Sequence, residues 1–427
     1  MSGSPRRLLS LLAALCLAPW LAACGTVDFT RPGIADPEAG YAGAFPWYAE
    51  YCALSQIKKR PGFGAEIRGE IGGHAVLYLN GACRGPDGTL IPCDAPGAGP
   101  EEGVGLSMNA HFRDAKWVAV PGRDFFFEGN LRPGETLTRA RYAEVQAEAR
   151  RLGLYDEVAF HEAAFADAPA GLPREAAKYE ISVATDYAVG LGRGRYCARV
   201  PVTRPQMLSM IGFLNAENAP YRRGGQVFHW SIFQDNCIHL AHNALAAAGV
   251  WRRWPTHRPL PLAILDFPVP KNEFVNLMRR GNDPGLLDPE AAFADPAARR
   301  AVLDYGTLPV RPGAIALSAP AWPANEVYET ALGLVFYDEP TIGPYRHWLA
   351  EIVATPRQHA LEPNLRWYAA RLHRLREERR PLPPAMAEFG QRFYAALDRE
   401  LAATDARLDR LREARARIAP ATGLALR

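Results

Sequence analysis

Apolar and polar positions alternate with a period of two in short runs between residues 66 and 128: EIRGEIGGHAVLYLNG, GVGLSMNAHF and KWVAVPGRDFFFEG, each set off by Gly/Pro turns, which predicts β-strands. In the first run His74, Val76, Tyr78 and Asn80 share one face and Ala75, Leu77 and Leu79 the other. In the second, Leu106, Met108, Ala110 and Phe112 point one way and Ser107, Asn109 and His111 the other. A further strand pair is expected in KYEISVATDYAVGLGRGRYCARVPV. Helical spacing is read in RARYAEVQAEARRL, in QMLSMIGFLNAE and in the run from Cys237 to Gly249. Residues 25 to 60 read as an irregular or partly helical lead-in rich in aromatics. Beyond Trp254 the chain turns proline-punctuated and then helical over 324–376, and a charged helix is predicted from Ala385 to Ile418. Its stripe of Phe389, Phe393, Leu397, Leu401, Leu408 and Leu411 marks a packing seam. The fold class expected is α+β.

Composition supports a folded chain: of 427 residues 48% are hydrophobic and 22% charged, enough apolar material for a sizeable core. Net charge is +3, two units of it from Arg6 and Arg7 near the start, so no basic field points to nucleic acid. The interspersed acidic and basic residues of the last helix read as a solvated face.

The first residues carry an address. MSGSPRR is a short basic region, LLSLLAALCLAPWL is apolar but short for a membrane span, and Leu21-Ala22-Ala23-Cys24-Gly25 follows. This resembles a bacterial lipoprotein signal with its lipobox. The resemblance implies cleavage before Cys24, lipid on Cys24 and anchoring to a membrane, with an ordinary secretory leader as the alternative. Gly25 beside the anchor resembles lipoproteins sent to the outer membrane, facing the periplasm.

Export places the remaining cysteines in an oxidising compartment. Without Cys16 and Cys24 there are five: Cys52, Cys83, Cys93, Cys197 and Cys237. Cys83 and Cys93 flank a Gly/Pro-containing turn suited to a local disulfide, and Cys52 with Cys197 could form a second. That pairing leaves Cys237 over, although four cysteines can pair in three ways and the odd one could be another.

Cys237 opens QDNCIHLAHNALAAAG after Asp235 and Asn236, either of which can cap a helix. A thiol there faces unpaired N–H groups and the positive end of the helix dipole, which lowers thiol pKa. Leu240, Ala241, Ala244 and Leu245 share its face, so Cys237 is equally suited to be a buried apolar plug. A nucleophile needs a base and the base an orienter: His74 on its strand, preceded by two glycines, is the candidate base, and the polar face of the next strand would supply the orienter. His239 and His242 point away from Cys237, about 160° and 140° round the helix axis. A zinc site from His239, His242 and His229 is the competing use, but no C-x-x-C pair or H-E-x-x-H accompanies them. No metal or cofactor is expected.

The order of GGHAVLYL, a polar second strand, RYCARVPVTRPQMLSMIGFLNAEN and then NCIHLAHNALAAAG resembles the circularly permuted branch of the NlpC/P60 papain-like superfamily, over residues 66–250. The resemblance implies an antiparallel sheet packed on a nucleophile helix, with Cys237 as nucleophile, His74 as base and His111 or Asn109 as orienter. Ile238 departs from the acyltransferase subgroup, which has glutamate there. The implied division is a leader at 1–23, a lead-in at 24–60, the permuted domain at 61–255 with an insertion near 130–178, and a helical region at 256–427. The implied activity is a cysteine hydrolase or acyltransferase acting on amides or esters of envelope peptides, with lipids second. The alternative is a non-catalytic envelope scaffold whose C-terminal helices dock a protein partner. A Cys237 far from His74 would favour the scaffold.

Overall fold

The computed structural model describes residues 24–27, 38–63, 73–94, 103–166, 168, 171–256, 258–265, 268–330, 333–338 and 342–418. The leader at 1–23 and the glycine-rich run 64–72 lie outside them. The strands are β1 (Cys24–Val27), β2 (Tyr48–Leu54), β3 (His74–Asn80), β4 (Ala82–Arg84), β5 (Leu90–Pro92), β6 (Gly103–Ser107), β7 (Val118–Pro121), β8 (Arg195–Pro201), β9 (Ile315–Ala319) and β10 (Leu334–Tyr337). The α-helices are α1 (Glu38–Ala44), α2 (Arg123–Glu128), α3 (Arg139–Arg151), α4 (Arg174–Ser182), α5 (Arg204–Asn218), α6 (Cys237–Ala247), α7 (Leu260–Leu265), α8 (Pro270–Gly281), α9 (Pro289–Ala294), α10 (Pro296–Tyr305), α11 (Tyr345–Ala354), α12 (Leu361–Glu377) and α13 (Ala387–Ile418). The fold is α+β.

Six strands make one antiparallel sheet in the order β7-β6-β3-β2-β8-β9. Its centre is β2, a strand where the sequence predicts an irregular or partly helical lead-in. YAEYCAL is buried at every position, and a strand covered on both faces carries little alternation for a pattern to catch. The edge strand β9 comes from the C-terminal region, so the sheet draws on the segments read as lead-in, permuted domain and helical region. The boundaries at 61 and 256 therefore do not separate independent cores. The expected strand around KYEIS is instead α4, and FFFE of the third strand-like run belongs to α2; in both, β-prone residues sit in helix because tertiary burial overrides local propensity.

Register assigns the two faces of the sheet. Glu50 pairs with Tyr78 and Arg199, Cys52 with Val76 and Cys197, and Leu54 with His74. Directly opposed residues share a face, so Glu50, Cys52, His74, Val76, Tyr78 and Arg199 lie on one side, called the Glu50 face. Tyr51, paired with Leu77 and Ala198, marks the other. The Glu50 face is covered by α2, with Tyr78 and Phe126 stacked at 6.2 Å. A Cβ on Gly105 would sit 2.0 Å from the Phe126 ring, so glycine there lets α2 close on the sheet. Glu50, 1% exposed, accepts from Arg123 at 3.1 Å and from Arg199 at 2.9 Å, so its buried charge is compensated. The disulfide Cys52–Cys197 joins β2 to β8 on this face, and Cys83–Cys93 closes the short β4–β5 hairpin. Cys237 is in neither.

The Tyr51 face is covered by α5, α6 and α8. Trp117 donates to Leu214 O at 2.8 Å, Tyr51 to Pro270 O at 2.9 Å, and Tyr196 meets Phe274 at 5.7 Å. A capping box of Thr203 and Gln206 starts α5. The C-terminal helices hold a second apolar cluster around Leu287, Val302, Tyr368, Phe389, Phe393 and Leu397. The predicted stripe of the last helix is buried at Phe389, Phe393, Leu397, Leu401 and Leu408, with Leu411 packed on the main core. Among the described residues no helix is long and apolar enough to cross a membrane.

Candidate functional site

Asn236 is the N-cap of α6. Its Oδ1 accepts from Ile238 N at 2.9 Å and His239 N at 3.2 Å and meets His239 Nδ1 at 3.0 Å, while its amide donates to Ile232 O at 2.7 Å. Cys237 is thus fixed as the first helical residue, as the sequence predicts, and is 8% exposed. Its neighbourhood is the Tyr51 face. The Tyr51 phenol is pushed well above its ordinary range by burial first, then by Glu273 on α8 and by Cys237.

His74 begins β3 behind Gly73, whose φ is +83° and whose added Cβ would lie 2.0 Å from Leu54 O. The glycine thus serves a close backbone approach. The His74 ring lies on the opposite side of the sheet from α6. Its Nε2 is 3.1 Å from Ser107 Oγ. Ser107 Oγ lies 2.7 Å from Asp186 Oδ1, and a hydroxyl has one proton to give. With that O–H directed at Asp186, Ser107 Oγ accepts from the imidazole N–H, a tautomer assigned from the network. Asn109 and Tyr155 also donate to Asp186, each at 3.1 Å. Burial holds the His74 pKa well below the usual histidine range, and the Arg193 guanidinium depresses it further. Asp186 is pushed up to about 6 by burial, against the pull of its donors. His74, Ser107, Asn109, Tyr155 and Asp186 are all buried: a closed polar network.

The expected triad is therefore not brought together. Cys237 lies under α6 on the Tyr51 face, and His74 on the Glu50 face is engaged with Ser107. The physical reason is the pleat: His74 alternates with Ala75 and Leu77, and the Leu/Ala-rich side of α6 packs on the apolar positions, not on the histidine. Asn109, one proposed orienter, serves Asp186. His111, the other, is carried away as the chain leaves the strand after Ser107. It lies in a separate depression of about 710 Å³ with Phe160, His161, His229 and Trp230. There His111 Nδ1 is buried without a hydrogen-bond partner, and burial, then His161, pushes its pKa down to about 4.

The competing zinc trio does not converge either. His239 meets Asn236, and His229 stacks on His161 at 5.6 Å. His242 is sandwiched between Trp251 and Trp254 at 4.2 and 3.8 Å, with Nδ1 2.5 Å from Glu273 Oε1 and Nε2 2.7 Å from Arg252 O. Among the described residues the one grouping close enough to hold an ion is Glu50, Cys52 and Cys197. Its sulfurs form a disulfide and offer no thiolate ligands.

Beside the start of α6 a cleft of about 470 Å³ is lined by Phe233, His239, Trp254, Arg258, Asn272, Glu273 and Tyr345, among others. Its volume suits a small ligand, and its aromatic walls with a few convergent polar groups are the usual make-up of such sites. Tyr345 on α11 brings the C-terminal region over it. Sequence reading missed Asp186, Ser107 and Glu273 as site residues. Asp186 had a signal, an acid in the apolar run SVATDYAVG, since buried carboxylates need partners. No known protein family matches the chain, and comparison with curated proteins and with solved structures finds no match.

Proposed function

We propose that the chain is an envelope lipoprotein that binds an envelope peptide or lipid in the cleft beside α6, without catalysing its turnover. The observation that carries this reading is the separation of Cys237 and His74 by the sheet, with His74 held by Ser107 on the far side. A thiol acyl-transfer site needs the imidazole within hydrogen-bond reach of the sulfur. The cleft supplies what a binding site needs: the Trp254 and Tyr345 rings, Asn272 and Glu273 as hydrogen-bonding groups, and Arg258 as a cation. Glu273 is held by His242, so its carboxylate is pre-positioned at the wall.

Thiol-dependent hydrolysis or acyl transfer at Cys237 is the second reading. It is favoured by the position of Cys237 outside both disulfides, at the first residue of an eleven-residue helix. The two readings separate on one assay. Peptidoglycan peptides and phospholipids are offered to wild type, Cys237→Ala and Trp254→Ala, and both binding and product are measured. The binding reading expects no product, unchanged retention by Cys237→Ala, and retention lowered roughly tenfold by Trp254→Ala, as for a lost aromatic anchor. Product formed by wild type and abolished in Cys237→Ala would replace it with the enzyme reading.

A further inference from the structure

The segment WRRWPTHRPLPL, residues 251–262, joins tryptophans and arginines to two leucines that face solvent. Leu260 and Leu262 on α7 are each 49% exposed. Gln234, in the turn before α6, donates to Arg258 O at 2.6 Å and ties that turn to this segment. Phe233, Trp254, Pro255, Arg258 and Ala263 from the same stretches line the cleft. Leu260 and Leu262 on α7, whose Ala263 lines the cleft, therefore stand exposed at its edge with Arg258 in the wall behind them, the pairing of apolar and cationic side chains found on surfaces that lie in a membrane interface.

The position of Cys24 identifies the occupant of that rim. Cys24 is the first residue of β1 and pairs with Tyr337 of β10. Tyr337 in turn exchanges two hydrogen bonds with Asn272, Nδ2 to Tyr337 O at 3.0 Å and Tyr337 N to Oδ1 at 3.3 Å. Asn272 is a wall of the cleft. Paired strands lie about 5 Å apart, so a lipid on Cys24 would be attached with no slack, a few residue widths from the cleft. A long flexible tether would leave the body free to turn; this one does not.

We propose that the Leu260/Leu262 rim seats on the phospholipid bilayer, so that the cleft opens onto the membrane surface and takes its ligand from there. The proposal rests on the anchoring of Cys24. Its ligand class is an amphiphile whose polar part meets Arg258, Asn272 and Glu273 while its apolar part stays at the rim. A membrane-remote soluble peptide would have to reach a mouth that the bilayer covers.

The test uses the full lipidated chain on vesicles of phosphatidylethanolamine and phosphatidylglycerol, with and without brominated acyl chains. Emission belonging to Trp254 is the difference between wild type and Trp254→Phe. The expected result is roughly twofold quenching of that emission by the brominated chains, as for a ring at the interface, restored by Leu260→Glu/Leu262→Glu, a double change at exposed positions that leaves circular dichroism unaltered. Flotation with the vesicles but no quenching leaves the anchor and overturns the proposal. Failure of the chain to float overturns the anchoring reading and the proposal together.

Discussion

The two faces of the central sheet use polar residues in opposite ways. On the Glu50 face the polar side chains bind one another: Glu50 with Arg123 and Arg199, and His74 with Ser107 and Asp186, all sealed from solvent. On the Tyr51 face His239, Asn272 and Glu273 are buried as deeply, but they line a cleft walled by aromatic rings. The comparison teaches that a histidine on a strand and a cysteine at a helix start make a catalytic pair only when the pleat turns both to the same side. A sealed network contributes stability and fixes a unique packing, whereas polar groups that line a cleft border space a ligand can enter.

The largest loss is expected on the sealed side. Glu50→Ala leaves two buried guanidinium groups without their carboxylate, and urea unfolding is expected to show a loss of about 3–5 kcal/mol. A loss below about 1 kcal/mol, the range of exposed pairs, would mean that the face is wet. Next comes Asp186→Ala, which strands the donors of Ser107, Asn109 and Tyr155, at about 1–3 kcal/mol; Asp186→Asn should cost less because one acceptor oxygen survives. Both variants should keep ligand retention in the cleft once corrected for the folded fraction. A specific loss of retention would join the two faces functionally.

A smaller effect is the response to acid. His111, pushed down to about 4, and His74, held well below the ordinary histidine range, are neutral in the folded chain. The unfolded chain takes up protons at these positions first, so the stability they lend is complete above about pH 6.5 and is lost as pH falls below it. Asp186, raised to about 6 from 3.8, acts the other way: the folded state takes its proton first, and acidification between those values returns stability. Two histidines against one acid predicts a net fall in urea midpoint on acidification. Asp186→Asn should steepen that fall and His111→Asn should flatten it; a flat wild-type profile would refute the burial assigned to these rings.

Much of the architecture was legible in the chain. The long final helix, the cap and helix at Cys237 and the polar side of GVGLS follow from spacing and residue type, and the structure selects, from the cysteine pairings that spacing left open, Cys52–Cys197 with Cys83–Cys93. Strand β2 was not, because YAEYCAL is buried on both faces. The KYEIS helix was not, because its isoleucine and tyrosine favour strand locally while packing holds them in α4. The failure of the triad was half legible: the same alternation that put His74 beside Tyr78 and Asn80 put Ala75, Leu77 and Leu79 on the side an alanine-leucine helix would choose. What periodicity could not supply was which face of β3 receives α6, since that depends on strand order and on helices far along the chain.

The separation of Cys237 from His74 is the central claim, and the alkylation rate of Cys237 across pH, in wild type and in His74→Asn under conditions where both are folded, tests it most directly. Two profiles that superpose are the predicted result. A rate in wild type that stays high toward acid pH and collapses in His74→Asn would show a thiolate–imidazolium pair and contradict it.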